Sequence, residues 1–155
     1  MSEPIKIRAA IREDIALMAR WAQAMALETE HKTLNAHTLR RGIELGLDNP
    51  TRARYFIAER AGEAAGTLMF TSEWSDWRCA WWWWIQSVYV APAHRRKGVY
   101  RALYAHVLAM AEATPEVFGL RLYVERDNAD AQRTYLSLGM NDAGYLMFEA
   151  ALKRD

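Results

Sequence analysis

The sequence predicts an α/β (α+β) domain in which a mixed β-sheet carries helices on both faces, with element order β-α-α-β-β-β-α-β-α-β. Three observations predict it. Short alternating or β-branched runs recur along the chain, amphipathic stretches of helical period separate them, and no repeat, low-complexity tract or Gly/Ser linker interrupts the series. A chain of 155 residues suits one domain (1–155) and is long enough to bury a core.

Ile5, Ile7 and Ala9 alternate with Lys6 and Arg8, which predicts a first strand. In "REDIALMARWAQAMALE", Ile15, Met18, Ala22 and Met25 fall at helical spacing, with acids in the first turn where the helix dipole favours them. A second helix is expected over "AHTLRRGIELGL", with Leu39, Ile43 and Leu47 as its stripe, Asn35 as its cap and "DNP" as its stop. "RYFIAE", "AAGTLMFTSEW" and "CAWWWWIQSVYV" read as three strands, the first two joined by a turn at Gly62. "GVYRALYAHVLAMAEAT" carries Leu103, Val107, Met110 and Ala111 on one helical face. "GLRLYVE" reads as a strand, "NADAQRTYLSLG" as a helix between Asn128 and Gly139, and "AGYLMFEAAL" as a closing strand.

Twenty Lys and Arg against 19 Asp and Glu leave a net charge of +1, so no strong field draws in nucleic acid or an anionic membrane. Cys79 is the only cysteine, which precludes an internal disulfide and agrees with a cytoplasmic setting. No secretory h-region is visible near the N-terminus, and the longest apolar run, Ala80 to Ile85, is far below the ~20 residues that span a bilayer. His31 and His37 are six residues apart and no Cys or His pair has metal-ligand spacing, so no metal is expected.

"VYVAPAHRRKGVYRAL" is the most informative segment. A strand ends at Pro92, a basic loop follows, and Gly98 opens a helix. Such a turn aims unpaired backbone N–H groups and the positive end of a helix dipole at one point, a pyrophosphate site to which Arg95, Arg96 and Lys97 add charge. The same residues also fit a solvated basic loop that caps a helix. Neither G-x-x-x-x-G-K-[ST] nor G-x-G-x-x-G is present, which disfavours the usual nucleotide-binding readings.

"SVYVAPAHRRKGVYRALYAHV" resembles the acyl-CoA signature of the GNAT superfamily of N-acetyltransferases, Gln/Arg-x-x-Gly-x-Gly/Ala, at Arg95, Arg96, Lys97, Gly98, Val99 and Tyr100. "LRLYVERDNADAQRTYLSLGM" resembles the second motif of that family, and "IRAAIREDI" its first strand and helix. Tyr100 stands where Gly or Ala is usual. The resemblance implies a largely antiparallel, twisted sheet of about six to seven strands and acetyl-CoA as acyl donor. It also implies that the backbone of Val88, Tyr89 and Val90 lines the pantetheine arm, that Asn128 contacts the cofactor or caps its helix, and that Tyr135 protonates the leaving thiolate.

The expected reaction is acetyl transfer to a primary amine in a ternary complex, with a possible homodimer; an acyl-CoA sensor or protein-interaction module is the alternative. Glu73 is the first candidate for general base, ahead of Glu28, Glu30 and Asp76. "SEWSDWRCAWWWW" places Glu73 and Asp76 among Trp74, Trp82 and Trp84, a combination suited to a small cationic amine through cation–π attraction and charge pairing. Strand alternation makes the tryptophan run two pairs, Trp81 with Trp83 and Trp82 with Trp84, one expected in the core and the other in the acceptor wall.

Overall fold

The computed structural model describes residues 3–154. They divide into two units, one ending at Tyr123 and one beginning at Val124.

In the first unit, β1 (Ile5–Ala9) leads through a 3-10 turn at Arg12–Asp14 into α1 (Ile15–Glu30) and α2 (Ala36–Asp48). Strands β2 (Arg54–Arg60), β3 (Glu63–Ser75) and β4 (Ala80–Val90) follow, then α3 (Val99–Glu112) and β5 (Val117–Arg121). The sheet among the described residues has five strands in the order β1-β2-β3-β4-β5. Its pairs are antiparallel except β4 with β5, which α3 joins in parallel.

Neighbouring residues of β2 show how the two faces are used, because successive side chains of a strand point to opposite sides. Ile57 joins Ile15, Met18, Trp21 and Ile43 in the core beneath α1 and α2. Phe56 packs on the other face against His106 of α3, 5.3 Å between ring centroids. That face continues as a stack of Phe56 on Phe70 at 6.0 Å and Phe70 on Trp83 at 4.4 Å. Leu68, Leu103 and Val107 are fully buried with it.

Asp14 fastens the start of α1 to the sheet. Its carboxylate accepts two hydrogen bonds from the Arg8 guanidinium, at 2.8 and 2.9 Å, and one from the Ile11 N–H at 2.7 Å. These donors hold the Asp14 carboxyl below the usual carboxylate range, although its burial acts in the opposite direction.

The second unit holds α4 (Ala129–Ser137). Asn128 Oδ1 accepts from the Ala131 N–H at 3.1 Å, and Gly139, at φ 92°, ends the helix with its N–H donated to the Leu136 carbonyl. The expected closing strand "AGYLMFEAAL" falls in the second unit, where no strand is assigned among the described residues. The six to seven strands expected are therefore five among the described residues. Alternation gives a segment strand propensity, but a strand exists only when a neighbouring edge accepts its N–H and C=O groups. The strand expected at "GLRLYVE" is likewise displaced, to Val117–Arg121.

Candidate active site

One extra residue in β4 organises the site. Ile85 pairs with Phe70 and Ser87 with Met69, so Gln86 is a bulge. Before it, the Trp81 N–H points toward β5, donating to the Glu116 carbonyl at 2.8 Å; after it, the Ala91 N–H points toward β3, donating to the Ala65 carbonyl at 2.9 Å. Both residues are odd-numbered, so regular alternation would aim them the same way. The bulge inverts the parity, and the backbone groups of Val88 and Val90 turn away from β3. Pairing of β4 with β5 stops at Trp84 and Arg121, so within the first unit's described residues these groups line an open edge. The Val90 carbonyl there accepts from Arg95 Nε at 3.0 Å.

The bulge redirects side chains as well. Trp83 faces α3, whereas Tyr89 faces α1 and lies 6.0 Å from Trp21, ring to ring. Ser87 and Tyr89 thus share the α1/α2 face with Trp82 and Trp84.

The open edge leads into the N-terminus of α3. Asn35 caps α2 by accepting from the Thr38 N–H at 2.9 Å, and Asn128 caps α4 in the same manner, but no side chain caps α3. Its cap is Gly98 at φ 83°, with Arg96 at φ 62° two residues before. The first bond of the helix runs from the Ala102 N–H to the Gly98 carbonyl at 3.0 Å, so the preceding N–H groups point outward, and no acidic residue lies in the first turn. Arg96, Lys97 and Gly98 are exposed; Val99 is buried, contributing its backbone and a core side chain, and Tyr100 is half-buried. Such an arrangement of outward N–H groups beside basic side chains is suited to an anion.

Arg95 engages protein groups. Its Nη2 lies 2.9 Å from Glu28 Oε2, and the guanidinium sits 5.4 Å from the centre of the Tyr89 ring. The Tyr89 hydroxyl donates to Glu28 Oε1 at 3.0 Å. Burial, then Glu28, pushes the Tyr89 phenol above its ordinary pKa, against the Arg95 charge.

The tryptophan run divides as alternation requires, although its first pair does not share one environment. Trp83 is core, while Trp81 is partly exposed and packs edge-on against Trp74 at 5.0 Å. On the other face Trp82 lies over Gly119, where a Cβ would come within 2.9 Å of its ring. The Arg121 guanidinium stands 3.9 Å from the Trp82 ring centre and that of Arg78 5.2 Å. Trp84 donates its indole N–H to Glu73, and Glu73 Oε1 lies 3.6 Å from Arg121. The protein's own arginines therefore stand beside the Trp82 ring. Sequence reasoning missed Arg78 and Arg121, although Arg78 adjoins Trp77 and Arg121 lies on the neighbouring strand.

Glu30 is exposed and 3.6 Å from Lys32, and Asp76 is exposed in the turn before β4. Asn128 caps α4, which decides between the two roles open to it only as far as the cap. Tyr135, half-buried, belongs to α4 in the second unit. Among the described residues no group of three or more His, Cys, Asp or Glu side chains is placed to hold a metal ion, and no helix is long and apolar enough to cross a membrane.

The sequence profile of the acetyltransferase (GNAT) family matches residues 16–140, which take in the open edge of β4, the α3 cradle and α4. The chain belongs to the GNAT family. It is an acyl-CoA-dependent N-acetyltransferase, and its reaction is acyl transfer from acyl-CoA. A possible acetyltransferase from Clostridium difficile 630 is 35% identical, covers 98% of this chain over 100% of its own and superposes with a TM-score of 0.91. Two more distant structures share the GNAT fold. An aminoglycoside N-acetyltransferase in complex with CoA is 15% identical, with 97% of each chain covered and a TM-score of 0.79. A ribosomal-protein-alanine N-acetyltransferase from Brucella melitensis biovar Abortus 2308 is 18% identical, with 96% of this chain and 100% of its own covered and a TM-score of 0.75. No curated protein matches this GNAT sequence.

Proposed function

We propose that the protein transfers an acetyl group from acetyl-CoA to a primary amine by direct attack in a ternary complex. The observation that carries this reading is the continuity of the open β4 edge at Val88 and Val90 with the uncapped N-terminus of α3. An extended amide chain such as pantetheine fits the first, and a pyrophosphate fits the second.

The first-turn N–H groups from Gly98 to Tyr100, with Arg96 and Lys97, neutralise the pyrophosphate. Arg95 adds charge at the mouth of the edge, where Glu28 holds it in place. Outward N–H groups of β4 are of the type that stabilises a thioester oxyanion, and Val90 is assigned that role.

A neutral amine attacks the thioester carbon, so no covalent enzyme intermediate is needed. The lone pair on nitrogen forms the C–N bond, charge collects on the carbonyl oxygen, and collapse breaks the C–S bond. Glu73, on the α1/α2 face with Trp84, accepts the ammonium proton through a water. Tyr135 returns a proton from its phenol hydroxyl to the thiolate.

Release of free thiol from acetyl-CoA across a panel of primary amines tests the reading. Amine-dependent release with formation of the N-acetyl product is expected. Binding of CoA without turnover on any amine would instead make the protein an acyl-CoA sensor.

A further inference from the structure

A cavity of about 230 Å³ opens on the α1/α2 face of β4. Met18, Met25, Leu39 and Ile43 of the helices and Met69 and Tyr89 of the sheet surround it. Its wall is overwhelmingly apolar, and two of the hydroxyls that reach it are already engaged: Thr67 Oγ1 donates to the Phe56 carbonyl at 2.8 Å, and Tyr89 donates to Glu28. An apolar cavity of ~150 Å³ holds a benzene ring, so this one has room for a phenyl to indole-sized group. A polyamine would leave its additional ammonium groups facing methionine and isoleucine side chains without partners, which is costly. Methionine, unbranched and polarisable, adapts its shape to a flat or branched apolar guest.

We propose that this cavity receives the side chain of the acceptor, and that the acceptor is a primary amine bearing one uncharged apolar group of phenyl to indole size. This deepens the acetyltransferase reading and rests on it. The choice of the amine over the acyl donor follows from β4 itself. Its backbone at Val88 and Val90 faces the open edge in the plane of the sheet, the track assigned to the donor. The side chains of Ser87 and Tyr89 on the same strand face the cavity, so the second reactant is the one that reaches it. Ser87 supplies a hydroxyl beside the guest, and the Glu28 carboxylate adjoins Tyr89 on the cavity wall. The arginine-covered face of Trp82 takes no part.

Steady-state thiol release from acetyl-CoA is measured for ethylamine, isobutylamine, phenethylamine, tryptamine and spermidine. The proposal predicts that kcat/KM rises at least ~10-fold from ethylamine to phenethylamine, the usual return on filling an apolar pocket, and that spermidine reacts poorly. Gly42 borders the cavity, and a Cβ there meets nothing within 4 Å, so Gly42→Leu adds volume without a steric clash at its root. It also replaces a helix-interior glycine by a strong helix former. This variant is expected to lower the phenethylamine to ethylamine ratio of kcat/KM by ~10-fold or more.

Turnover with spermidine or ethylamine at least as good as with phenethylamine overturns the proposal and leaves the acetyltransferase reading standing. A variant that changes the preference for acetyl-CoA over hexanoyl-CoA, with the amine ratio unmoved, assigns the cavity to the acyl chain and also overturns it. Absence of turnover with every amine defeats the acetyltransferase reading itself. The wild-type series decides the matter even if Gly42→Leu does not fold.

Discussion

Arg95 and Glu28, 67 positions apart in sequence, meet at 2.9 Å and tie the end of α1 to the loop that opens α3. The same guanidinium bonds the Val90 carbonyl, so the outward edge of β4, the acceptor face and the anion cradle share one side chain. Both members of the pair are nearly half exposed, so water and salt screen their attraction. Glu28→Gln is expected to destabilise the fold by less than about 1 kcal/mol, a Tm shift under about 4 °C that shrinks further in 1 M salt. Thermal melts at low and high salt check this; a loss of ~10 °C would show that the pair behaves as a buried one.

Asp14 makes a different kind of contact. Its folded-state pKa is depressed by Arg8 and the Ile11 N–H, so its contribution to stability is present above the unfolded value of about 3.9 and is lost as pH falls through the lower, folded value. Asp14→Asn should cost about 2 kcal/mol at pH 7, the scale of hydrogen bonds to a charged group. The difference from wild type should narrow below about pH 4. Urea midpoints between pH 7 and pH 2.5 measure it, and a difference that stays constant across that range would contradict the assignment.

Gly98→Ala separates conformation from space. At φ 83° an added Cβ would approach only the Ile5 side chain, at 3.9 Å, so the cost comes from backbone strain and not from crowding. A loss of about 1–2 kcal/mol is expected. Because the strain is relieved by turning the first N–H groups of α3 away from the anion, KM for acetyl-CoA should rise more than kcat falls. Equal effects on both would place the glycine outside donor binding.

Tyr135→Phe keeps the ring and removes the proton. It is expected to lower kcat by ~10²–10⁴ with little change in acetyl-CoA affinity. Unchanged turnover would remove Tyr135 from the mechanism. Glu73→Gln should lower kcat by ~10²-fold or more, and unchanged turnover would send the base assignment elsewhere.

Most of the fold was legible because its elements carry local signals. Asn35 and Asn128 cap the helices they were expected to cap, and the alternating runs before Pro92 became β2, β3 and β4. "AGYLMFEAAL" carries the same alternation, but pairing depends on an edge that the segment's own sequence does not encode. Gln86 was equally silent: a bulge is the mismatch of two strands, and neither strand shows it alone. That single residue decides which backbone groups of β4 face the open edge. The arginines beside Trp82 were hidden for a related reason, since Arg78 and Arg121 come from a turn and a neighbouring strand. The apolar cavity, assembled from two helices and three strands, had no sequence signature at all.

The central claim is that the outward backbone of β4 and the first turn of α3 hold the acyl donor. Residue-resolved amide hydrogen exchange with and without CoA tests it most directly. The account predicts that the Val88 and Val90 amides, which point away from β3, exchange readily in the free protein and become protected with CoA, together with the first-turn amides of α3. The Ser87 and Tyr89 amides, directed toward β3, should change little. Unaltered exchange at Val88, Val90 and Val99 under saturating CoA would contradict it.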